Sequence, residues 1–541
     1  MTPIVPQLVP QLLHDLIYQS AYRMPQRHAL AHDGDVLTYD VLAGQVKVAA
    51  DAWLGAGMAR GERVAVYLEK REEAVVAMFG AAAAGLVFVP INPVLKTAQV
   101  VHILRDCNVR LLVTSPERLA TLAMDGELAK CADLHTVVLA GPLAGVGPVE
   151  GVRLLGWQAA MQGSSPRAPH AVIDADMAAI LYTSGSTGRP KGVVLSHRNL
   201  VAGALSVSAY LHNVPEDRIL CVLPLSFDYG LSQLTTAFAV GACAVLQNHL
   251  LVRDVIETVA RERITGLAAV PPLWIQLAAL GWSNARHLRY ITNSGGVMQR
   301  STLQALQAAL PRTRVYLMYG LTEAFRSTYL PPEELGRRPD SIGKAIPNAE
   351  ILVLRPDGSR CAPDEPGELV HRGALVSLGY WNDPARTAQR FRPLRDPSGG
   401  LPLPDMAVWS GDTVRVDTEG FLYFIGRSDD MIKTSGYRVS PSEVEEVVYD
   451  TGLVAEAVAI GMPHPLLGQS IALVVCIKAD IDAGETELLA ACRRTLPSYM
   501  VPLQIELRDE PLPRNPNGKL DRVCIATELA AGVRAAEQVA S

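Results

Sequence analysis

Apolar positions along the chain fall into two patterns. Short β-branched and leucine-rich runs, such as Arg63 to Leu68, Val109 to Thr114 and Thr136 to Leu139, read as buried strands. Longer runs, alanine-rich Ala43 to Ala56 and Thr97 to Asp106, read as helices. Strand and helix alternate from Leu8 to about Pro166, which predicts βα units and a mostly parallel sheet covered by helices. Ala74 to Ile91 is apolar for long enough to suggest a membrane span. Its alanines, two glycines and one proline instead predict a buried helix running into a strand at Leu86 to Pro90.

Four further runs each end in glycine, proline or polar residues. Ile219 to Phe227 reads as a strand ending at Asp228, Tyr229 and Gly230. Gly266 to Val270 ends at Pro271 and Pro272, with Trp274 just after. Tyr290 to Thr292 leads into Asn293, Ser294, Gly295 and Gly296, and Val315 to Met318 into Tyr319, Gly320, Leu321, Thr322 and Glu323. Ligands of open α/β sheets sit at the carboxyl ends of strands, so these segments should share a pocket. From Ile342 to Gly426 the pattern turns to short strands and turns, as in Glu350 to Leu354 before Pro356-Asp357-Gly358, and predicts a β-rich subdomain. Ser440 and Pro441 start a helix with Glu443, Glu445 and Glu446 near its N-terminus, inside a small α/β region that runs to Lys519.

Length and charge narrow the picture. At 541 residues the chain needs two or three domains. Its 49 Lys plus Arg stand against 55 Asp plus Glu, without a long basic stripe, which argues against nucleic acid as a partner. The eight cysteines are far apart and show no CxxC pair or Cys/His ligand spacing, which fits a reduced, cytoplasmic protein. The N-terminus has no basic segment and its prolines interrupt the apolar run, so no signal peptide is expected.

The chemistry concentrates in Leu181 to Asn199. Thr183, Ser184, Gly185, Ser186, Thr187 and Gly188, then Lys191, lie between two apolar runs, Met177 to Leu181 and Val193 to Leu195. A loop between two strands is predicted, with glycines that admit a ligand and hydroxyls, backbone N–H groups and a lysine that converge on phosphate oxygens. It is neither GxxxxGK[ST] nor GxGxxG.

The segment YTSGSTGRPKG resembles the phosphate-binding signature of the AMP-forming adenylating enzymes: acyl-CoA synthetases, amino-acid adenylation domains and luciferases. Later motifs follow in the family's order, so the resemblance covers about Leu8 to Arg522. It implies an α/β fold: a large N-terminal domain of parallel α/β sheets (1–428) with a β-rich subdomain (about 342–426), and a small mobile C-terminal α/β domain (429–541). It also implies an acid–thiol ligase. A carboxylic acid and Mg·ATP would give an acyl-adenylate and pyrophosphate, and the acyl group would pass to coenzyme A or, alternatively, to the phosphopantetheine of a carrier protein.

By the same resemblance, Thr183, Ser184, Ser186, Thr187 and Lys191 would hold phosphates, with Gly185, Gly188, Gly295, Gly296 and Gly320 at the nucleotide. Tyr319 would cover adenine, Thr322 would meet phosphate, and Glu323, with Thr183, would hold Mg²⁺. Asp412 and Arg427 would hold ribose, Ser410 standing where the family usually has Thr. Asp429 would be the hinge, Lys433 and Gly436 would belong to the thiol-transfer face, and Lys519 would orient the first step. Phe227, Asp228, Tyr229, Trp274, Ser294 and Gly295 would line the acid pocket.

Where many acyl-CoA synthetases have an aromatic-His pair after Pro-Leu, this chain has Pro224-Leu225-Ser226-Phe227-Asp228, closer to amino-acid adenylation domains, whose Asp holds the substrate ammonium. A buried Asp228 needs a cation, a proton or a route to water. Two readings stay open: an ammonium on the substrate, or a structural carboxylate capping a helix. A luciferase-like oxygenase and a nucleotide-binding module without turnover remain as alternatives of other classes.

Overall fold

The structure is a computed structural model that describes residues 9–183, 190–394, 405–427, 431–478, 481, 484–513 and 520–540. At Asp125, Arg427, Ser442 and 532–540 only the backbone is described. The phosphate-loop residues Ser184 to Gly188, the expected hinge Asp429 and the expected catalytic Lys519 lie outside the described residues.

The described strands form three sheets. In the first, Arg63–Tyr67, Val87–Pro90, Val109–Thr114, Thr136–Leu139, Arg153–Gly156 and Met177–Thr183 run parallel, and Lys191–Ser196 closes back antiparallel on Met177–Thr183. The hairpin predicted around the phosphate loop is therefore formed. Its register pairs Thr183 with Lys191 directly.

In the second sheet Arg218–Cys221, Cys243–Leu246, Gly266–Ala269, Tyr290–Asn293 and Arg314–Tyr319 are parallel. The expected β-rich region is hydrogen-bonded to it. Ser341–Ala345 pairs with Thr328–Leu330, and the antiparallel strands Ala349–Leu354, Gly367–Gly373, Met406–Val416 and Leu422–Arg427 continue the same sheet. Helices pack between these two sheets. Glu72–Ala84 is buried at every residue from Ala74 to Ala84, and its Phe79 ring meets Phe238 of helix Asp228–Val240 edge to face at 5.3 Å. A helix without a polar face belongs in such a core. Among the described residues no helix is long and apolar enough to cross a membrane.

The third sheet, Ile432–Thr434, Tyr437–Val439, Val454–His464, Gly468–Ile477 and Gln504–Arg508, builds the small C-terminal unit with helices Pro441–Asp450, Glu485–Thr495 and Arg522–Ala540. The helix start at Ser440 and Pro441 is as expected.

One strand is shorter than the sequence suggests. The run Ile219 to Phe227 is a strand only at Arg218–Cys221, and Asp228 is the first residue of a helix rather than a strand end. Pro224 offers no N–H to a neighbouring strand. The chain instead folds back so tightly that a Cβ at Gly230 would stand 1.9 Å from the Pro224 carbonyl oxygen.

Candidate active site

The carboxyl ends of the central strands open on a cavity of about 170 Å³. Thr183, Tyr319, Gly320, Thr322, Asp412, Ser294, Gly295, Phe227, Asp228 and Tyr229 line it, as the motifs imply, and so do Lys433 and Gly436 from the small C-terminal unit. Tyr319 ends strand Arg314–Tyr319, and a short 3₁₀ turn, Thr322–Ala324, then carries Glu323 into the interior.

Glu323 and Lys191 meet at 3.0 Å, and the Tyr380 hydroxyl donates to Glu323 Oε1 at 2.6 Å. Lys191 Nζ also donates to the Tyr380 oxygen at 2.8 Å and lies 4.2 Å from that ring's centre. Burial opposes the charge on Glu323, yet Lys191, Arg438 and the Tyr380 hydroxyl together hold its carboxyl well below the usual carboxylate range. The ionised carboxylate is thus paired with Lys191, the cross-strand partner of Thr183, whose Oγ1 is buried with no partner among the described residues. Mg²⁺ takes one or two carboxylates and completes its shell with phosphate oxygens and water, so this donor set fits Mg·ATP. Among the described residues no cluster of three or more metal-ligating side chains exists that would form a protein-only site.

Within the cavity lining the Tyr319 hydroxyl donates to Asp412 Oδ2. Ser410, the residue in place of Thr, does the local holding. Its hydroxyl donates to the Leu369 carbonyl at 2.7 Å and accepts from the Asp412 N–H at 3.0 Å. Asp412 and Arg427 are cross-strand partners, so both expected ribose contacts belong to one point in the sheet.

Two expected residues are elsewhere. Trp274 is fully buried and its indole N–H is shared by the Ala269 and Thr292 carbonyls at 3.1 Å, so it is core rather than pocket lining. Pro271 and Pro272 start the helix there, and the first turn rotates the ring inward. Gly296 lines a neighbouring cleft with Val297, Phe424 and Lys433, while Gly295 faces the central cavity.

Sequence reasoning missed Arg326, as it did Tyr380 beside Glu323. Arg326 is 2% exposed, and its Nη1 donates to Asp228 Oδ2 at 2.8 Å. Asp228 therefore has a cation supplied by the chain itself, although burial still pushes its carboxyl above the usual range against the pull of Arg326. The available signal was a single arginine inside the apolar stretch that follows Tyr319-Gly320-Leu321-Thr322-Glu323.

The small unit reaches the cavity through its hairpin Ile432–Thr434 and Tyr437–Val439. Tyr437 stacks on Tyr499 at 3.6 Å and meets Phe227 edge-on at 5.1 Å. Gly436 has φ +82°, and a Cβ there would lie 2.8 Å from Val270 Cγ2. A second cavity of about 690 Å³ shares Asn92, Phe227, Val270, Gly436 and Tyr437 with the first.

Residues 17–381 match the AMP-binding enzyme family, and residues 443–519 match the AMP-binding enzyme C-terminal domain. An L-proline–[L-prolyl-carrier protein] ligase of Streptomyces coelicolor is 33% identical over 526 residues, covering 93% of this chain and 95% of that protein. A sulfoacetate–CoA ligase of Cupriavidus necator is 31% identical over 493 residues, covering 91% and 92%. Among solved structures, an o-succinylbenzoate CoA synthetase of Bacillus subtilis superposes with a TM-score of 0.81 at 26% identity, over 94% of this chain and 97% of that one. Matched in both its large and its small unit, the chain belongs to the AMP-forming adenylating enzymes and is a ligase that joins an acid to a thiol.

Proposed function

We propose that this ligase activates a carboxylic acid with Mg·ATP and hands the acyl group to a phosphopantetheine thiol, borne by coenzyme A or by a carrier protein. The supporting observation is that Thr183, Tyr319 and Asp412, from three separate stretches of chain, line one cavity, that Lys191, paired in register with Thr183, meets Glu323 of the turn after Tyr319, and that a second cavity shares part of this lining. Relatives named as carrier-protein and as CoA ligases both align nearly end to end, which supports the shared thiol chemistry.

In the first step an acid oxygen attacks the α-phosphorus, and the bond to the β-phosphate breaks to release pyrophosphate. Lys191 and the Thr183 hydroxyl are placed to bind phosphate oxygens, and Lys519 is assigned to the cation that meets acid and α-phosphate. Glu323 would hold Mg²⁺, which when bound would supply charge neutralisation on the leaving pyrophosphate. Tyr319 covers the base, and Asp412 with Arg427 takes the ribose hydroxyls. In the second step the thiolate attacks the acyl carbon and AMP leaves. The Lys433–Gly436 hairpin forms the partition past which the thiol approaches, and Asp429 is the hinge on which the small unit turns. None of these groups becomes covalently modified, so catalysis is positioning plus charge stabilisation. Eight free cysteines suit a reducing cytoplasm as the place of action.

The test is acid-dependent exchange of labelled pyrophosphate into ATP, followed by transfer to coenzyme A or to a phosphopantetheinylated carrier. Oxygen uptake with light emission, or no exchange with any acid despite bound ATP, would overturn the ligase reading.

A further inference from the structure

The guanidinium of Arg326 is held from three sides. Nη1 donates to Asp228 Oδ2 at 2.8 Å and to the Phe325 carbonyl at 3.0 Å, which uses both of its hydrogens. The Tyr229 ring lies 4.6 Å away against the guanidinium, and that ring is itself fixed by a 2.6 Å bond between its hydroxyl and Thr292 Oγ1. The backbone fixes the root of the side chain. Phe325 has φ +54°, and the Arg326 N–H bonds back to the Ala324 carbonyl in a tight γ-turn. Strained turns of this kind persist where the surroundings over-determine them, and they cluster at ligand sites.

What this leaves is the other edge. Nε and Nη2 are buried with no hydrogen-bond partner among the described residues, in a side chain that lines the cavity with Ser226, Phe227 and Ser294. Ser226 Oγ, on the same lining, is also buried without a partner. The Nε–Nη2 edge of a guanidinium is a parallel pair of donors, spaced to grip a carboxylate or sulfonate with two hydrogen bonds. A buried donor pair left open in a rigid mount calls for an explanation, and a ligand acceptor supplies one.

We propose that the acid activated here carries a second oxyanion, remote from the carboxylate that is adenylated, and that the Nε–Nη2 edge of Arg326 binds it. The inference rests on the adenylation reading of the cavity. Asp228 then acts as a positioning residue: it occupies Nη1 and turns the opposite edge toward the substrate. An acid with a plain hydrocarbon tail leaves both donors unpaired and is rejected for that reason.

The experiment uses the full-length enzyme and matched acids: succinate against butyrate, glutarate against pentanoate, and sulfoacetate against acetate. ATP binding measured by calorimetry comes first, because its absence would defeat the adenylation reading itself. With ATP bound, at least one second-oxyanion acid should exceed its partner about 100-fold or more in kcat/KM for pyrophosphate exchange. Arg326→Met should erase that preference through KM for the acid and leave KM for ATP unchanged. Arg326→Lys, which keeps the charge facing Asp228 but lacks the donor pair, should lose most of it. The double variant Asp228→Asn with Arg326→Met removes both buried charges and serves if the single variant fails to fold. Equal use of both members of each pair, silence from every second-oxyanion acid with ATP bound, or an Arg326 variant that slows both members equally would overturn the proposal.

Discussion

The Lys191–Glu323 pair offers a quantitative test. The two side chains are 16% and 7% exposed and 3.0 Å apart, so their attraction is only partly screened. Coulomb's law at an effective dielectric of 20 gives about 5 kcal/mol at that separation. Removing one partner leaves the other buried and uncompensated, at a cost of about 3–5 kcal/mol, whereas removing both together is close to neutral. Glu323→Gln also weakens the acceptor of the Tyr380 hydroxyl, a charge-assisted bond of 2.6 Å. Both single variants, Glu323→Gln and Lys191→Met, should therefore lower the urea midpoint clearly, and the double variant should recover most of that loss. With two such single losses and a near-neutral double variant, the coupling in the double-mutant cycle should exceed about 3 kcal/mol. The pH arm has a definite sign. Glu323 is depressed in the folded protein, so its contribution is complete above the unfolded carboxylate value of 4.5 and falls away as the solution is acidified below it. Single-variant effects that simply add would show that the pair is not coupled and would refute this reasoning.

Three further outcomes are expected. Lys519→Ala should reduce adenylate formation about 100-fold or more but spare thioester formation from supplied acyl-adenylate, measured in separate single-turnover assays. Gly436→Ala should slow thiol transfer more than pyrophosphate exchange, because its Cβ would press on Val270 at 2.8 Å from a backbone of φ +82°; equal effects on both halves would remove the hairpin from the transfer step. Glu443, on the cavity wall, is raised by burial to about 8 from 4.5, so the folded state keeps a proton that the unfolded chain releases. Stability should fall as pH rises between those values, by a few kcal/mol in order of magnitude, and Glu443→Gln should flatten the profile.

Local pattern carried much of the fold. The apolar runs flanking the phosphate loop became the hairpin Met177–Thr183 and Lys191–Ser196, and Ala74 to Ile91 became a buried helix and strand. Motif spacing likewise brought Tyr319, Thr322 and Asp412 to one cavity, with Glu323 next in the chain and paired with Lys191. What stayed illegible was long-range. Asp228 and Arg326 are 98 residues apart, and Tyr380 stands 57 residues from Glu323, so neither partnership leaves a periodic trace in the chain. Trp274 misled because two prolines make its neighbourhood look like a strand-end loop, whereas helix geometry turns the indole into the core. The run Val222 to Phe227 misled for a related reason: apolar composition marks burial, and a buried loop around Pro224 shows the same composition as a strand.

Glu323 and Arg326 are three residues apart, with the γ-turn at Phe325 between them. In the proposed reaction one end of this short segment meets the phosphates and the other meets the acid. Phe325 is fully buried, and its ring leaves no room for even a methyl group on Gly203, where a Cβ would come within 2.5 Å. The segment is thus a stiff turn wedged in place. On the proposed roles, the group that holds the metal and the group that grips the far end of the acid share one rigid mount, so the spacing between the two binding sites is fixed by the backbone.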